Sequence, residues 1–574
     1  MSGTFDAIRL QLMWDRLLSV VEEQAQTLIR VGFSTSTREA GDVSAGIFDP
    51  AGNMLAQAVT GTPGHVNAMA RAVRHFLAKF PAATMRPGDV FATNDPWKGT
   101  GHLNDFTFVT PAFRRDRLVA LFASTSHVVD IGGLGMSSDA RDVFEEGLYV
   151  PLVRFARAGQ VDETLLELVR ANVRAPDQVI GDLYSLVTCN EVGARRLFAM
   201  LDEFGVDDLG TLGPHILERS GTGMRQAIAR LAPGVYRASM RVDGYDRPVD
   251  LVATTTIARD AIEVDFTGSS PISAAGINVP FCYTEAYAAF GVKCIVAPAV
   301  PNNEGSLATI RIRAPEGSIL NAAHPAPVAV RHVVGQMLPD VIFGCLAQAL
   351  PGGVPAEGAS CNWTLYLFGG PGRVSADPAA VANARAFSVL AFHSGGMGAR
   401  PTKDGLAATA FPSGVRNTPV EVTEAISPIV VWRKEFRGDS GGPGRYRGGL
   451  GQTMELENLD GAPFTLSAYY DRIDYPARGR DGGHDGAPGE VRLASGATLR
   501  GKGLQTIPAG ERVVFGMPGG AGYGDPRERD PHAVAADVRA GLVSISAART
   551  LYAVAVDDAG RLDESATARL RGTA

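Results

Sequence analysis

The segment from residue 102 to residue 130 contains two apolar β-type stretches separated by a short charged turn. The first stretch reads FTFVTPAF, the turn RRDR and the second stretch LVALFASTSH. This pattern predicts an antiparallel hairpin. In a hairpin centred near Arg115 and Asp116, residues whose numbers sum to about 231 face each other. Asp105 and His127 sum to 232, so we expect them to lie together at the open end of the hairpin.

Two further side chains are expected in the same cluster. His102 stands three residues before Asp105, and Asp42 stands at the open end of an earlier predicted hairpin that turns through DPAGN. Imidazoles and carboxylates that meet at strand ends form a donor set for Zn²⁺, Mn²⁺ or Fe²⁺, with Zn²⁺ favoured. His65 follows the second strand of the earlier hairpin and is expected nearby. From the residues alone, a turn in which His102 and Asp105 bond to backbone groups is an open alternative.

Three carboxylates further along the chain are candidates for supporting roles. Asp130 follows His127 closely, and we expect it to accept a hydrogen bond from a ligand imidazole and so orient it. Glu145 and Glu146 are candidates for a general base, provided that burial raises the pKa of one of them. Charge on a surface helix is the alternative reading of these acids. The segment Asn94-Asp95-Pro96-Trp97 predicts either a tight turn or a loop that orients the ligands.

The wider pattern predicts a mixed α/β (α+β) protein of several domains. A length of 574 residues is enough for about three or four domains. Residues 6–30 have the apolar spacing of a helix, the region after Pro233-Gly234 alternates like β-strands, and residues 331–350 read as a buried helix. We therefore predict a metal-site domain over 1–232, a β-rich middle domain over 233–330, and a C-terminal α/β domain with glycine-rich loops over 331–574.

Several classes of protein do not fit the composition. The formal charge is −7, and no block rich in lysine and arginine is present, so nucleic acid is not an expected partner. No apolar run has the length of a membrane span, and the N-terminus lacks the pattern of a signal peptide. Five scattered cysteines favour a reducing compartment, and we expect a cytoplasmic protein. The pattern GxxxxGK[ST] is absent, so no Walker-type loop for ATP is predicted.

A set of longer motifs resembles the hydantoinase B / 5-oxoprolinase family. The motifs occur in the family's order from about residue 5 to about residue 555. They read ATNDPWKGTGHLNDFTFVTPAF, STSHVVDIGG, SILNAAHPAPVAVRHVVGQMLPDVI, GARPTKDG, NTPVEVTE, DSGGPGRYRGGLGQ and GAGYGDPRERDP. Two positions depart from the motifs of many members. Asn104 stands in place of proline in HLPD, and Val128 stands where a second histidine follows the first.

The resemblance implies a function and a set of ligands. Family members include B-type subunits of ATP-dependent hydantoinases and caprolactamases, which act with a hydantoinase A-like subunit that binds ATP and Mg²⁺. The implied reaction is hydrolysis of a small cyclic amide in a hetero-oligomer, after ATP phosphorylates the amide oxygen. The implied metal ligands are Asp42, His102, Asp105 and His127. Two alternatives remain, a subunit of an acetone/acetophenone-type carboxylase and an inactive structural subunit.

Overall fold

The computed structural model describes residues 2–371 and 381–572 and divides the chain into two compact units. Unit 1 consists of Met1–Ala238 and Val252–Arg331, and unit 2 consists of Ser239–Leu251 and His332–Ala574. Both units combine helices with antiparallel or mixed sheets, which confirms the predicted mixed α/β class. The predicted three-domain division stays a prediction.

Unit 1 is built around a seven-stranded antiparallel sheet. Its strands run in the order β2-β1-β5-β4-β3-β6-β7. The bounds are β1 Val43–Phe48, β2 Met54–Gln57, β3 Val90–Thr93, β4 Asp105–Arg114, β5 Arg117–His127, β6 Val153–Arg157 and β7 Gln160–Val161. The charged turn RRDR joins β4 to β5, and Arg115 and Asp116 adopt positive φ angles of 49° and 61°.

Unit 1 contains nine described α-helices, several of which pack on this sheet. They are α1 Ser2–Val31, α2 Thr35–Arg38, α3 Pro63–Lys79, α4 Val143–Glu146, α5 Glu163–Asn172, α6 Pro176–Glu203, α7 Leu212–Ile228, α8 Phe281–Val296 and α9 Glu304–Leu307, with a 3₁₀ turn at Ala82–Thr84. Among the described residues, no helix is long and apolar enough to cross a membrane.

The two faces of the seven-stranded sheet belong to different cores, because successive side chains of a strand point to opposite faces. Ile47 and Phe122 pack with apolar residues of α1 and α6, such as Leu17. The neighbouring Phe48 and Leu121 pack with apolar residues of α3. Helices on both sides therefore fix the strand ends at which the candidate ligands lie.

A second, four-stranded sheet follows α7. Its strands are β8 Gly234–Val242, β9 Val249–Ile257, β10 Ile262–Asp265 and β11 Ile310–Arg313, in the order β11-β10-β9-β8. The β10–β11 pair is parallel and the β9–β10 pair antiparallel. Ser239–Leu251, which contains the end of β8, the connection and the start of β9, belongs to unit 2, so the chain leaves unit 1 once and returns to it.

Unit 2 contains two four-stranded antiparallel sheets, with the orders β13-β12-β16-β18 and β14-β15-β19-β17. The strands are β12 Leu365–Gly369, β13 Phe387–Ala391, β14 Ile429–Phe436, β15 Gln452–Asn458, β16 Phe464–Tyr469, β17 Glu490–Leu493, β18 Lys502–Ile507 and β19 Arg512–Gly516. The described helices are α10 His332–Gly335, α11 Leu338–Ala349, α12 Val420–Ile426, α13 Pro531–Arg539, α14 Ile545–Leu551 and α15 Glu564–Arg571, with a 3₁₀ turn at Pro526–Glu528.

The single helix predicted over 331–350 is two helices in the structure. α10 ends at Gly335, and α11 begins at Leu338 with Pro339 in its first turn. Proline is accepted in the first turn of a helix but breaks the hydrogen bonds of a helix interior. Pro339 therefore marks a new helix start.

The two glycine-rich loops predicted over residues 437–451 and 517–525 pack directly on each other. Gly442 N donates to Gly520 O at 2.8 Å, and Gly520 N donates to Gly449 O at 2.9 Å. A Cβ atom added to Gly519 would lie 1.7 Å from Ser440 O. The backbones approach so closely that no other residue fits there. The high glycine content of these loops is thus explained by packing.

Candidate metal centre

The candidate centre lies in unit 1, where the ends of β1, β4 and β5 meet. Asp105, the first residue of β4, is the register partner of His127, the last residue of β5. Val43, the first residue of β1, pairs with Ser126, and His127 N donates to Asp42 O at 3.1 Å. Two hairpins thus bring Asp42, Asp105 and His127 to one edge of the sheet.

His102 reaches the same point from the turn before β4. Its Nε2 lies 2.8 Å from Asp105 Oδ1, and its Nδ1 lies 2.9 Å from the carbonyl oxygen of Ala329. A carbonyl only accepts hydrogen bonds, so Nδ1 carries the proton of the neutral ring. The Nε2 lone pair is therefore directed at the centre.

The carboxylate of Asp105 is the hub of the cluster. His127 Nδ1 lies 3.2 Å from Oδ1, and His65 Nε2 lies 3.0 Å from Oδ2. Thr100 Oγ1 donates to Oδ2 at 2.9 Å, and an Arg331 guanidinium nitrogen lies 2.5 Å from the same oxygen. Asp105 is fully buried. Its negative charge is balanced by side chains from four separate segments.

Asp42 forms the other acidic side of the centre. Its Oδ2 lies 3.8 Å from His127 Nδ1, and its Oδ1 lies 3.6 Å from His65 Nδ1. Thr62, the residue before α3, donates its hydroxyl to Oδ1 at 2.8 Å. The segment that opens α3 therefore holds both Asp42 and His65.

Burial and charge set the protonation states in this cluster. Burial and the nearby Arg331 lower the pKa of His102 to about 4. Burial alone would raise the pKa of Asp105, but the surrounding histidines and Arg331 hold it well below its ordinary range. Burial lowers the pKa of His65, but the carboxylates of Asp105 and Asp42 raise it by more. The pKa of His65 is therefore above its ordinary value. His102 is therefore neutral and Asp105 ionised near pH 7.

The chemistry of the donors fits a divalent transition metal. With the proton on Nδ1, His102 Nε2 and Asp105 Oδ1 are two acceptors only 2.8 Å apart, and a cation against both would satisfy them. One ligand atom each from His102, Asp105 and His127 lies within 4.8 Å of the others. The buried His65 Nδ1 also lacks a hydrogen-bond partner.

The structure brings Asp42, His102, Asp105 and His127 together and places the other three candidates outside this group. Asp130 accepts from Gly132 N at 3.1 Å and forms an ion pair with Arg174 at 2.8 Å. Glu145 is exposed and accepts from Arg141 N at 2.8 Å. The orienting role for Asp130 and the base role for Glu145 or Glu146 stay predictions.

Glu146 is buried and supports the segment that contacts His102. Its Oε1 accepts hydrogen bonds from Val328 N and, at 2.8 Å, from Ala329 N. Burial raises the pKa of Glu146 to about 8. Ala329 O accepts the hydrogen bond from His102 Nδ1. Glu146 is therefore linked to the centre through the backbone of Ala329.

The loop at residues 94–97 combines the two predicted roles. Asp95 Oδ1 accepts from Trp97 N at 2.9 Å, as in a tight turn. Asn94 Nδ2 donates to Leu103 O at 2.8 Å, between His102 and Asp105. The turn therefore also fixes the loop that carries two candidate ligands.

Arg331 was not identified from the sequence. It lies 226 positions from Asp105, stacks its guanidinium 4.0 Å from the Tyr283 ring centre and donates from Nε to Thr100 O at 2.9 Å. It stands inside the quoted motif PAPVAVRHVVGQ, but no spacing rule connects that motif with HLND. A contact across so many residues depends on the tertiary fold.

The buried cluster of His102, Asp105 and His127, with Asp42 beside it, lies at the strand ends of an antiparallel sheet. Comparisons with known proteins place the chain in a family. The sequence model described as hydantoinase B/oxoprolinase matches residues 6–526. The chain belongs to the hydantoinase B/oxoprolinase family.

Two named relatives match over nearly their full length. One, from a Pseudomonas species, is named as the putative B-type subunit of a D-/L-hydantoinase; it is 29% identical over 99% of this chain and 98% of the relative. The other is the beta subunit of the caprolactamase of Pseudomonas jessenii, 29% identical over 98% of this chain and 99% of the relative. Each relative is, by name, one subunit of an enzyme.

Two solved structures share the fold. The ATP-dependent caprolactamase of P. jessenii matches with a TM-score of 0.88 and 27% identity, over 99% of each chain. A nucleotide-free acetone carboxylase matches with a TM-score of 0.86 and 20% identity, over 99% of this chain and 82% of the other. At that identity, the second match shows the fold alone.

Proposed function

We propose that this chain is the metal-binding B-type subunit of an ATP-dependent cyclic amidohydrolase of the hydantoinase/oxoprolinase type. The observation that carries the proposal is the buried cluster of His102, Asp105 and His127, with Asp42 Oδ2 3.8 Å from His127 Nδ1. It occurs in a chain that matches subunits of a hydantoinase and of a caprolactamase over nearly their full length. The substrate class is a hydantoin or lactam.

A partner subunit completes the proposed enzyme. The chain lacks the GxxxxGK[ST] pattern, and its relatives are named as subunits. We therefore assign ATP and Mg²⁺ to a hydantoinase A-like partner, which activates the amide. This chain supplies the centre at which the activated substrate is hydrolysed.

Asp42, His102, Asp105 and His127 would hold the metal, with Zn²⁺ favoured over Mn²⁺ or Fe²⁺. A divalent metal supplies Lewis acidity for water activation. The protein positions the ligands. Ala329 O fixes the His102 tautomer, and Thr100 donates a hydrogen bond to Asp105. The neighbouring histidines and Arg331 hold the pKa of Asp105 low. Burial keeps bulk water from competing for these groups.

Metal analysis of the full chain tests the assigned ligands. We expect one transition metal per wild-type chain and a loss of most of it in His102→Ala and in His127→Ala, since each removes an imidazole from a small ligand set. His532→Ala, at an exposed position, is the matched control and should retain the metal. Equal metal content in all four proteins would place the site elsewhere.

A subunit of an ATP-dependent acetone/acetophenone-type carboxylase is the second candidate, favoured by the fold shared with acetone carboxylase. Reconstitution with a hydantoinase A-like protein separates the two. Release of an open-chain acid from a hydantoin or lactam supports hydrolysis, whereas incorporation of labelled bicarbonate into a ketone supports carboxylation. A complex that assembles and performs neither reaction supports an inactive structural subunit.

A further inference from the structure

A cavity of about 460 Å³ lies in unit 1 on the other side of the segment that opens α3. Gly61, Pro63, Val66 and Asn67 line it, whereas Thr62 and His65 of the same segment contact the carboxylates of the metal centre. The volume is in the range of sites for small molecules. The cavity is therefore a compartment of its own, next to the metal centre.

The wall of the cavity contains a buried lysine. Lys293, in the last turn of α8, is 8% exposed. Its ammonium donates to Val300 O at 3.1 Å and to Pro301 O at 3.4 Å, and both of these residues also line the cavity. An ammonium has three N–H donors, so one remains after the two carbonyls.

The charge of Lys293 lacks a balancing acid. Within the described part of the chain, no carboxylate forms an ion pair with it, and burial lowers its pKa to about 8. A buried cation without an anion is unfavourable. An anion bound in the cavity would remove that penalty, and none of the carboxylates of the metal centre lines the cavity.

The other residues that line the cavity indicate what kind of molecule would carry the anionic group. Asn302 Nδ2 donates to Gln57 Oε1 at 2.9 Å and to Asn67 Oδ1 at 2.7 Å, and the buried Asn302 Oδ1 has no partner. The remaining surface is mainly apolar, with Leu18, Val59, Val66 and several prolines. Val59 is 89% exposed and marks the rim.

We propose that this cavity is a second ligand site, which takes a small carboxylate with an apolar body and pairs its carboxylate with Lys293. The apolar body would pack on Leu18 and Val66, and a donor group on the ligand would reach Asn302 Oδ1. The site is distinct from the metal centre and does not depend on the function proposed above.

Calorimetric titration of the full chain tests the site, with butanoate, hexanoate and benzoate as probes and hexanamide as the neutral analogue. At pH 7 we expect at least one carboxylate to bind measurably and hexanamide to bind at least about tenfold more weakly, because it forms no ion pair. Lys293→Met should weaken carboxylate binding by at least about tenfold. Lys403→Met, at an exposed lysine, is the control and should bind like the wild type.

A second variant covers the case in which Lys293→Met does not fold. Ala299→Phe fills the exposed rim of the cavity and leaves the ammonium intact. It should abolish carboxylate binding without changing the metal content. Amine labelling gives an independent readout, since the chain has only six lysines and bound carboxylate should protect Lys293 alone.

The binding results either support or overturn the proposed carboxylate site. Carboxylate binding that Lys293→Met or Ala299→Phe removes, with Lys403→Met unaffected, supports the site. The proposal is overturned if none of the three carboxylates binds up to millimolar concentrations. It is also overturned if hexanamide binds as well as hexanoate, or if the folded variants bind like the wild type.

Discussion

Both units of the protein bury carboxylates, but they neutralise them in different ways. In unit 1, Asp105 is surrounded by three imidazoles and one guanidinium. In unit 2, Asp340 and Glu357 lie 3.3 and 3.2 Å from the guanidinium of Arg472. An imidazole has a lone pair to offer a metal, and a guanidinium has none. The histidines thus make the first cluster a candidate metal centre, and the arginines make the second a closed ion cluster.

Two buried glutamates show the same contrast. Glu146 of unit 1 accepts hydrogen bonds from two backbone N–H groups, and burial raises its pKa to about 8. Burial also raises the pKa of Glu357 in unit 2, but the charges of Arg472 and Arg478 lower it by more. The pKa of Glu357 is therefore below its ordinary value. Both glutamates are buried, so the guanidinium groups in contact with Glu357 account for the difference between them.

The largest expected effect comes from breaking the ion cluster of unit 2. Arg472→Met leaves Asp340 and Glu357 buried without Arg472, and removing one partner of a buried ion pair destabilises a protein by about 3–5 kcal/mol. We expect a fall of that size in the free energy of unfolding, measured by urea titration. Arg433→Met, which breaks the exposed pair with Glu435, should lower it by less than about 1 kcal/mol. Loss of metal from the folded Arg472→Met protein would contradict the distinction between the candidate metal centre of unit 1 and the ion cluster of unit 2.

Asp105→Asn tests the centre of unit 1. It preserves the shape of the side chain and removes the charge that its neighbours balance. In a complex reconstituted with the A-like partner, we expect product formation to fall by at least about a hundredfold, or about 2.7 kcal/mol, while ATP is still consumed.

The control for Asp105→Asn is Asp116→Asn, at the exposed turn of the same β4–β5 hairpin, which should behave like the wild type. Proportional loss of ATP consumption and product in an assembled Asp105→Asn complex would show that the two steps are not separable. ATP and product are therefore followed in one assay.

Glu146→Gln tests the effect of burial without a guanidinium. The folded-state pKa of Glu146 is raised above its ordinary value of 4.5, to about 8. Its stabilising contribution is therefore complete below about pH 4.5 and is lost as the pH rises through about 8. Glutamine stays neutral, so the two proteins should differ by less than about 1.5 kcal/mol at pH 5. By pH 9 the variant should be the more stable one; unfolding midpoints with parallel pH dependence would refute this.

The smallest effect is expected for Glu145. The side chain is exposed, and its described contact is with the backbone of Arg141. Glu145→Gln should change stability by less than about 0.5 kcal/mol and the activity of the reconstituted complex by less than about twofold. A loss of activity with an unchanged unfolding midpoint would instead identify Glu145 as the general base.

The contacts of the centre that lie within one hairpin could be predicted from the sequence. The turn RRDR pairs the nearest residues of β4 and β5, and a one-residue register shift at Ala112 and Phe113 then places Asp105 opposite His127. Asp42 lies beside His127 because β1 pairs with β5, a contact between two hairpins that no turn specifies. The resemblance to a known family named the same residues.

Contacts between distant segments were not accessible. The link of His102 to Ala329 O and of Asp105 to Arg331 depends on how residues 252–331 pack against the first sheet. Glu145 and Glu146 are neighbours in sequence, but Glu145 is exposed and Glu146 is buried. This difference also depends on the packing of residues 252–331, because Glu146 bonds to the backbone of Val328 and Ala329. The long helix α6 was also absent from the sequence analysis, although it covers one face of the sheet.

The position of Arg331 has a consequence for biosynthesis. Asp42, His102, Asp105 and His127 leave the ribosome early, but Ala329 and Arg331, which orient His102 and neutralise Asp105, are among the last residues of unit 1 to be made. Until then the hydrogen bonds that orient His102 and neutralise Asp105 in the folded unit cannot form. The complete donor arrangement proposed for the metal therefore forms only after more than half of the chain has been translated.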